Sequence, residues 1–278
     1  GTIKLDGNYP TGTANVALGN QALEAVEAGG IQNTAVGNQA LENVTTGDNN
    51  IGVGHRTLCT LTTASCNVAV GKDALRTNTT GAANVAIGQE ALVLNTTGST
   101  NVAIGKESMD ANTTGSNNTA VGKGSLGVNT TANDNTGIGF NALSANTTGT
   151  GNVAVGIDAL KVHTTANNNT AVGADSLRCN TTGTQNTAIG ACSACSLTTA
   201  SSNTVLGHNA FSKSTTGGET VAIGDNTMAC NTTGCRNVAI GNGTMFKNTT
   251  GECNTAVGRT ALACNTTGDN NTAIGHQA

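Results

Sequence analysis

Nine cysteines are the first residues in this chain able to do chemistry: Cys59, Cys66, Cys179, Cys192, Cys195, Cys230, Cys235, Cys253 and Cys264. Cys192 and Cys195 form a C-x-x-C. A zinc centre needs a second such pair or histidines at close spacing. Neither is adjacent, so the pair by itself defines no metal site. Cys235 and Cys253 are 18 residues apart and Cys179 and Cys195 are 16 apart, each within one residue of a 17-residue period that runs through the chain. Stacked turns of that period would bring each pair near the Cα separation of about 4–7 Å that a disulfide requires. Two readings stay open: one or both pairs are bridged in an extracellular protein, or the cysteines are free thiols standing in for Ala or Ser. The odd count leaves at least one thiol unpaired unless chains are cross-linked.

Other reactive patterns are weaker. His55, His163, His208 and His276 are many periods apart and read as exposed loop residues. Gly71-Lys72, Gly105-Lys106 and Gly122-Lys123 lack the P-loop spacing and its following Ser or Thr. Asn78, Asn95, Asn112, Asn129 and Asn146 each open an Asn-Thr-Thr that matches the glycosylation sequon. The competing reading is hydrogen-bonded ladders of Asn and Thr along the edge of a coil. Carboxylates such as Asp73, Glu90 and Glu107 vary between repeats, and none has an evident catalytic partner. No catalytic residue, cofactor or metal is therefore expected, and the chain does not read as an enzyme. A net charge of −4 without a basic stripe argues against nucleic acid. No apolar run approaches the roughly 18–20 residues of a membrane-spanning helix.

The elements that carry these residues are copies of one unit. The segment 84–100 reads NVAIGQEALVLNTTGST, and 101–117 reads NVAIGKESMDANTTGSN. Copies begin at Asn15, Asn33 and Asn50 and continue to Asn271, every step being 17 residues except an 18-residue first step whose extra residue falls as a loop insertion between Ala25 and Gln32. Residues 1–14 lie outside the repeat as a lead-in or cap, and 15–278 form the repeat domain of 16 copies. The last copy stops halfway, so the chain reads as a fragment of a longer protein. Numbered from the first Asn, position 2 is β-branched, position 3 small, position 4 Val, Ile or Leu, and position 5 Gly. Position 9 is a large apolar residue in nearly every copy, and positions 13 and 14 are Thr-Thr from Thr45-Thr46 onward.

This pattern predicts a strand over positions 1 to 5, because β-branched and small residues alternate at period two. It predicts a corner at the position-5 glycines Gly71, Gly88, Gly105, Gly122, Gly139, Gly156 and Gly173. A second short strand is expected over positions 8 to 11, with positions 4 and 9 buried, as at Ile87 and Leu92. Gly, Asn and Thr-Thr in every unit disfavour a helix. The expected fold is all-β: a parallel β-solenoid, or β-roll, of 17-residue coils. At about 4.8 Å per turn the stack would run to roughly 75 Å.

The core Asn84-Val85-Ala86-Ile87-Gly88 resembles the head repeats of trimeric autotransporter adhesins, and residues 112–126, NTTGSNNTAVGKGSL, look closer still to repeats of phage tail-fibre proteins. The adhesin unit is commonly shorter than 17 residues. The resemblance implies a homotrimeric left-handed roll on a virion or cell surface, an adhesive or structural fibre that supports attachment to a host receptor or surface glycan. It implies no catalytic residues. The partner would be the chain itself, with no membrane insertion. The subunit contact is either the flat Ala and Gly face of positions 3 and 5 or, if Ala faces the roll interior, the Val and Ile face. Positions 6, 7, 10, 16 and 17 vary and are expected to be free to meet a partner. An ice-binding solenoid with Thr ladders and a glycosylated extracellular filament are the alternatives.

Overall fold

The computed structural model describes residues 14–27 and 29–278. The lead-in expected over 1–14 thus lies, Ala14 apart, outside the described residues. The described chain is an all-β parallel β-solenoid with sixteen three-residue strands and, among the described residues, no helix. It divides into two compact units, Gly1–Asn135 and Thr136–Ala278. The first holds β1 (Val16–Leu18) and β2 (Thr34–Val36) through β7 (Thr119–Val121), and the second β8 (Thr136–Ile138) through β16 (Thr272–Ile274). Within each unit successive turns pair in parallel at the 17-residue period. Val85, Ala86 and Ile87 lie opposite Val102, Ala103 and Ile104 in the first, and Thr170, Ala171 and Val172 lie opposite Thr187, Ala188 and Ile189 in the second. Only β1 and β2 are offset by 18, Val16 facing Thr34, so the loop insertion leaves the ladder intact.

Each strand covers positions 2 to 4. The position-5 glycine ends it: Gly71, Gly88, Gly105, Gly122, Gly139, Gly156 and Gly173 have φ between +125° and +138°. A Cβ on Gly88 would sit 2.6 Å from the carbonyl oxygen of Gly105 in the next turn, so both the torsion and the close approach exclude a side chain.

The second strand expected over positions 8 to 11 does not form. Positions 7 and 9 adopt left-handed torsions in turn after turn, as at Glu90 (φ +61°) and Leu92 (φ +51°), and two such residues in three cannot extend. A left-handed Leu costs about 1–2 kcal/mol. Burial of that side chain offsets it by about 1.5–3 kcal/mol, and Leu92 is fully buried. Position 17 is left-handed too (Asn117 φ +60°, Asn168 φ +59°). Asn and Asp tolerate that region best.

The interior is narrow. It is filled by position 3 (Ala86, Ala103), position 8 (Ala91, Ser108) and position 9 (Leu92, Met109), all fully buried. Position 4 was expected inside, but Ile87 is 39% and Ile104 37% exposed. With Ala facing inward, alternation turns Val and Ile outward. This also removes the Ala face as a subunit contact, since it is already covered by its own chain. Packing is between turns. Leu41 Cγ lies 3.3 Å from where a Cβ on Gly52 would be, so position 9 of one turn abuts position 3 of the next. The turn that has only Ala at position 9, Ala194, is followed by the turn that has Val at position 3, Val205, which is 1% exposed. The missing volume of one wall is supplied by the other.

Candidate functional site

Asparagine ladders do occur, but inside the coil rather than on its edge. At position 1, Asn84 Nδ2 donates to Asn67 Oδ1 (3.2 Å) and to Gly98 O (2.9 Å). Its Oδ1 accepts the backbone N–H of Asn101 at 3.0 Å. Each turn thus caps the strand entry of the next, where the backbone N–H would otherwise be buried and unpaired. At position 12, Asn95 Nδ2 donates to Asn78 Oδ1 (2.8 Å) and Gly98 O (2.9 Å), and its Oδ1 accepts from Asn112 Nδ2 at 2.8 Å. The sequon asparagines Asn78, Asn95, Asn112, Asn129 and Asn146 are all fully buried. The folded coil has no room for a glycan on them.

His163 occupies position 12 and is buried, not on an exposed loop as expected. Its Nε2 lies 2.7 Å from Ala166 O, and its Nδ1 lies 3.3 Å from Asn180 Nδ2. A carbonyl can only accept and an amide nitrogen only donate, so the ring is neutral with the proton on Nε2. Burial holds its pKa below the ordinary histidine value. His55, His208 and His276 are exposed, and His208 Nδ1 lies 3.1 Å from Asp225 Oδ1.

The Thr-Thr pair divides its work. The position-13 hydroxyl donates to the carbonyl of the same position one turn on, as from Thr79 to Thr96 and Thr96 to Thr113, both at 3.0 Å. The position-14 threonines, such as Thr80, Thr97 and Thr182, are exposed. Position 16, expected to be free for a partner, is a structural acceptor: Ala82 N–H donates to Ser99 Oγ (3.1 Å), Ser116 N–H to Asn133 Oδ1 (2.7 Å), and Thr184 N–H to Ser201 Oγ (3.0 Å). Its recurrent Ser, Thr, Asn and Asp were the legible signal. Positions 6, 7 and 10 carry surface ion pairs, including Lys161 with Asp158 (3.1 Å) and Lys72 with Asp73 (3.8 Å).

Cys192 and Cys195 are joined in a disulfide with Cα atoms 4.9 Å apart. Cys195 is therefore not bonded to Cys179, the pairing read from their spacing, and Cys179, Cys235 and Cys253 are free thiols. The stacking behind that reading is nonetheless present. Cys179 N–H donates to Cys195 O (3.1 Å), and Cys253 N–H to Cys235 O (3.2 Å). Burial and the Glu252 carboxylate raise the Cys235 thiol pKa, and Arg236 Nη2 holds Glu252 Oε2 at 2.7 Å. Among the described residues no three His, Cys, Asp or Glu side chains are placed to hold a metal ion. No helix among them is long and apolar enough to cross a membrane.

What remains without a structural duty is the outward face of the sheet. Positions 2 and 4 form two columns of β-branched and aliphatic side chains: Val85, Ile87, Val102 and Ile104 in the first unit, Thr187, Ile189, Val238 and Ile240 in the second, each half-exposed or exposed. Neither a family model, nor a curated protein, nor a solved structure matches the chain.

Proposed function

We propose that the chain is a structural segment of an adhesive fibre, the shaft or head of a homotrimer borne on a virion or cell surface, and that its work is to hold an attachment tip. The single observation that carries this is the outward Val, Ile and Thr face. It repeats in every turn with no charged residue at positions 2 and 4, and Ile104 and Ile240, 37% and 36% exposed, are typical of it. Contiguous apolar strips of this kind mark interaction surfaces. Within each unit, turns that are alike present the same strip, which suits a symmetric self-contact. Interior ladders that pair one turn with the next suit a part that bears load rather than one that reacts. Native mass spectrometry tests the reading. A trimer is expected, and Ile104→Glu with Ile240→Glu should convert it to folded monomers; a wild-type chain that is monomeric at micromolar concentration refutes it.

The exposed position-14 threonine column supports a second reading, an ice-binding surface. Thermal hysteresis that is present in wild type and lost on Thr→Lys at Thr97 and Thr182 would favour it over the fibre.

A further inference from the structure

Three cysteines lie on two successive turns whose backbones are hydrogen-bonded to each other. Cys192, at position 7, and Cys195, at position 10, are bonded within one turn with Cα atoms 4.9 Å apart. Cys179 sits at position 11 of the turn before, and its backbone N–H donates to Cys195 O at 3.1 Å. That hydrogen bond holds the Cys179 backbone beside the Cys195 backbone, while Cys195 Sγ lies 3.5 Å from Ser212 O in the turn after. All three residues are half-buried, so the cluster is reachable by solvent and by small thiols. Cys179 is free. No other disulfide occurs among the described residues.

We propose that this is a thiol–disulfide exchange site, at which Cys179 moves the bond from within one turn to between two. The Cys179 thiol loses its proton and the thiolate attacks Cys195 Sγ. The Cys179–Cys195 bond forms, the Cys192–Cys195 bond breaks, and the electron pair leaves on Cys192 Sγ, which takes up a proton. One disulfide and one thiol stand on each side, so no outside oxidant or reductant is consumed. Attack falls on Cys195 because that residue is the one hydrogen-bonded to the Cys179 backbone. The two bonded states differ mechanically. A bond across three residues constrains only its own turn, whereas Cys179–Cys195 ties residues 16 apart and clamps two turns together. The site takes low-molecular-weight thiols and disulfides, which set whether a bond is present, and the third thiol sets which turns it joins.

The test is to identify the free cysteine. Folded protein, held in a glutathione and glutathione disulfide buffer at neutral pH, is quenched with iodoacetamide, reduced, and labelled with a second alkylating reagent. Trypsin leaves all three cysteines on one peptide, residues 179–213, between Arg178 and the cleavage after Lys213. Fragmentation then shows which of them carries the first label. Two populations are expected, one with Cys179 labelled first and one with Cys192. Cys192→Ser should shift Cys179 and Cys195 from free to mutually bonded, and Cys179→Ser should abolish first labelling at Cys192 in the oxidised protein. Finding Cys179 as the only free member in every buffer overturns the proposal. So does a Cys192→Ser chain whose two thiols stay reduced, or carry glutathione, without closing on each other.

Discussion

The two asparagine ladders are built from the same side chain, yet they differ in tolerance. In the first unit position 1 is Asn from Asn15 to Asn135, and in the second the only departure is Thr220. Position 12 admits Val26, Val44 and Leu61 in the first unit and His163, Leu197 and Ser214 in the second. The bonds explain this. A position-1 oxygen accepts a backbone N–H of the next turn, as Asn67 Oδ1 does for Asn84 (3.0 Å). Thr220 keeps that duty, its Oγ1 taking Asn237 N–H at 3.5 Å. The position-12 oxygens of Asn78 and Asn95 accept from the next position-12 amide, and the Oδ1 of Asn265 accepts the Gly268 N–H of its own turn instead (3.1 Å). The position-12 nitrogen donates to a position-15 carbonyl that position 1 already serves: Ala200 O still accepts from Asn186 Nδ2 (2.8 Å) although position 12 of that turn is Leu197. One ladder satisfies backbone that has no alternative, and the other satisfies mainly itself.

The sharpest way to break this comparison is to put Leu into each ladder. Asn84→Leu buries the Asn101 N–H without its acceptor, while Asn67 Oδ1 keeps the Asn84 backbone N–H. An orphaned backbone donor of this kind costs about 1–3 kcal/mol, and a loss of about 2–3 kcal/mol is expected because the group is fully buried. It should appear as local loss of amide-exchange protection around β5 (Val85–Ile87) and its neighbours, because a stack of turns opens locally. Asn95→Leu should cost less, about 1–2 kcal/mol, since Gly98 O retains Asn84 Nδ2. Equal losses at the two positions would refute the distinction.

His163 sharpens the comparison with pH. The imidazole reproduces two of the Asn bonds only when neutral; a proton on Nδ1 would face the Asn180 amide N–H groups. Burial is the main cause of its lowered pKa, the Ala166 carbonyl pulling weakly the other way, and no charged side chain contributes. The unfolded chain therefore binds a proton at higher pH than the folded one. Stability is full above the unfolded-state value, near 6.5. It falls by up to about 1.4 kcal/mol per pH unit as pH drops toward the folded-state value, and levels off below it. Exchange protection around β10 (Thr170–Val172) should decline across that window in wild type and not in His163→Asn.

Much of this architecture was legible, for particular reasons. The period, the corner at Gly88 and the burial of Leu92 follow from residues that recur without exception or nearly so. Which face of the strand turns inward did not follow. Val85-Ala86-Ile87 alternates equally well in either sense, and the choice is made by the width of the interior. That width depends on left-handed torsions at positions 7, 9 and 17, and Glu90 and Leu92 do not advertise such torsions. The ladders were readable as a tendency of Asn, but their division into a backbone-capping row and a self-pairing row needed the turn path. The spacing of Cys179 and Cys195 foretold their neighbourhood and missed the closer partner, Cys192, because two residues three apart reach each other only once a chain turns as tightly as positions 7 to 10 do.

The smallest expected effect tests the position-12 ladder from the opposite side, by mending it. Asn180 Oδ1 is buried and has no hydrogen-bond partner, because the next position is Leu197. Leu197→Asn supplies an Nδ2 that can reach both Asn180 Oδ1 and Ala200 O, the arrangement Asn95 makes with Asn78 and Gly98. The substitution removes a fully buried Leu, a loss of about 1.5–3 kcal/mol in apolar burial. It gains relief of an unpaired acceptor worth about 1–3 kcal/mol and a new amide bond worth about 1 kcal/mol. The two sides nearly cancel, so a shift within about 1 kcal/mol is expected, in contrast to the several kcal/mol that polar substitution at a fully buried Leu ordinarily costs. Leu92→Asn at position 9 is the matched control, since no amide ladder runs there to receive it. If Leu197→Asn loses as much protection as Leu92→Asn, the position-12 row is not a self-contained ladder, and the tolerance seen at Leu61 and Leu197 must come from local repacking instead.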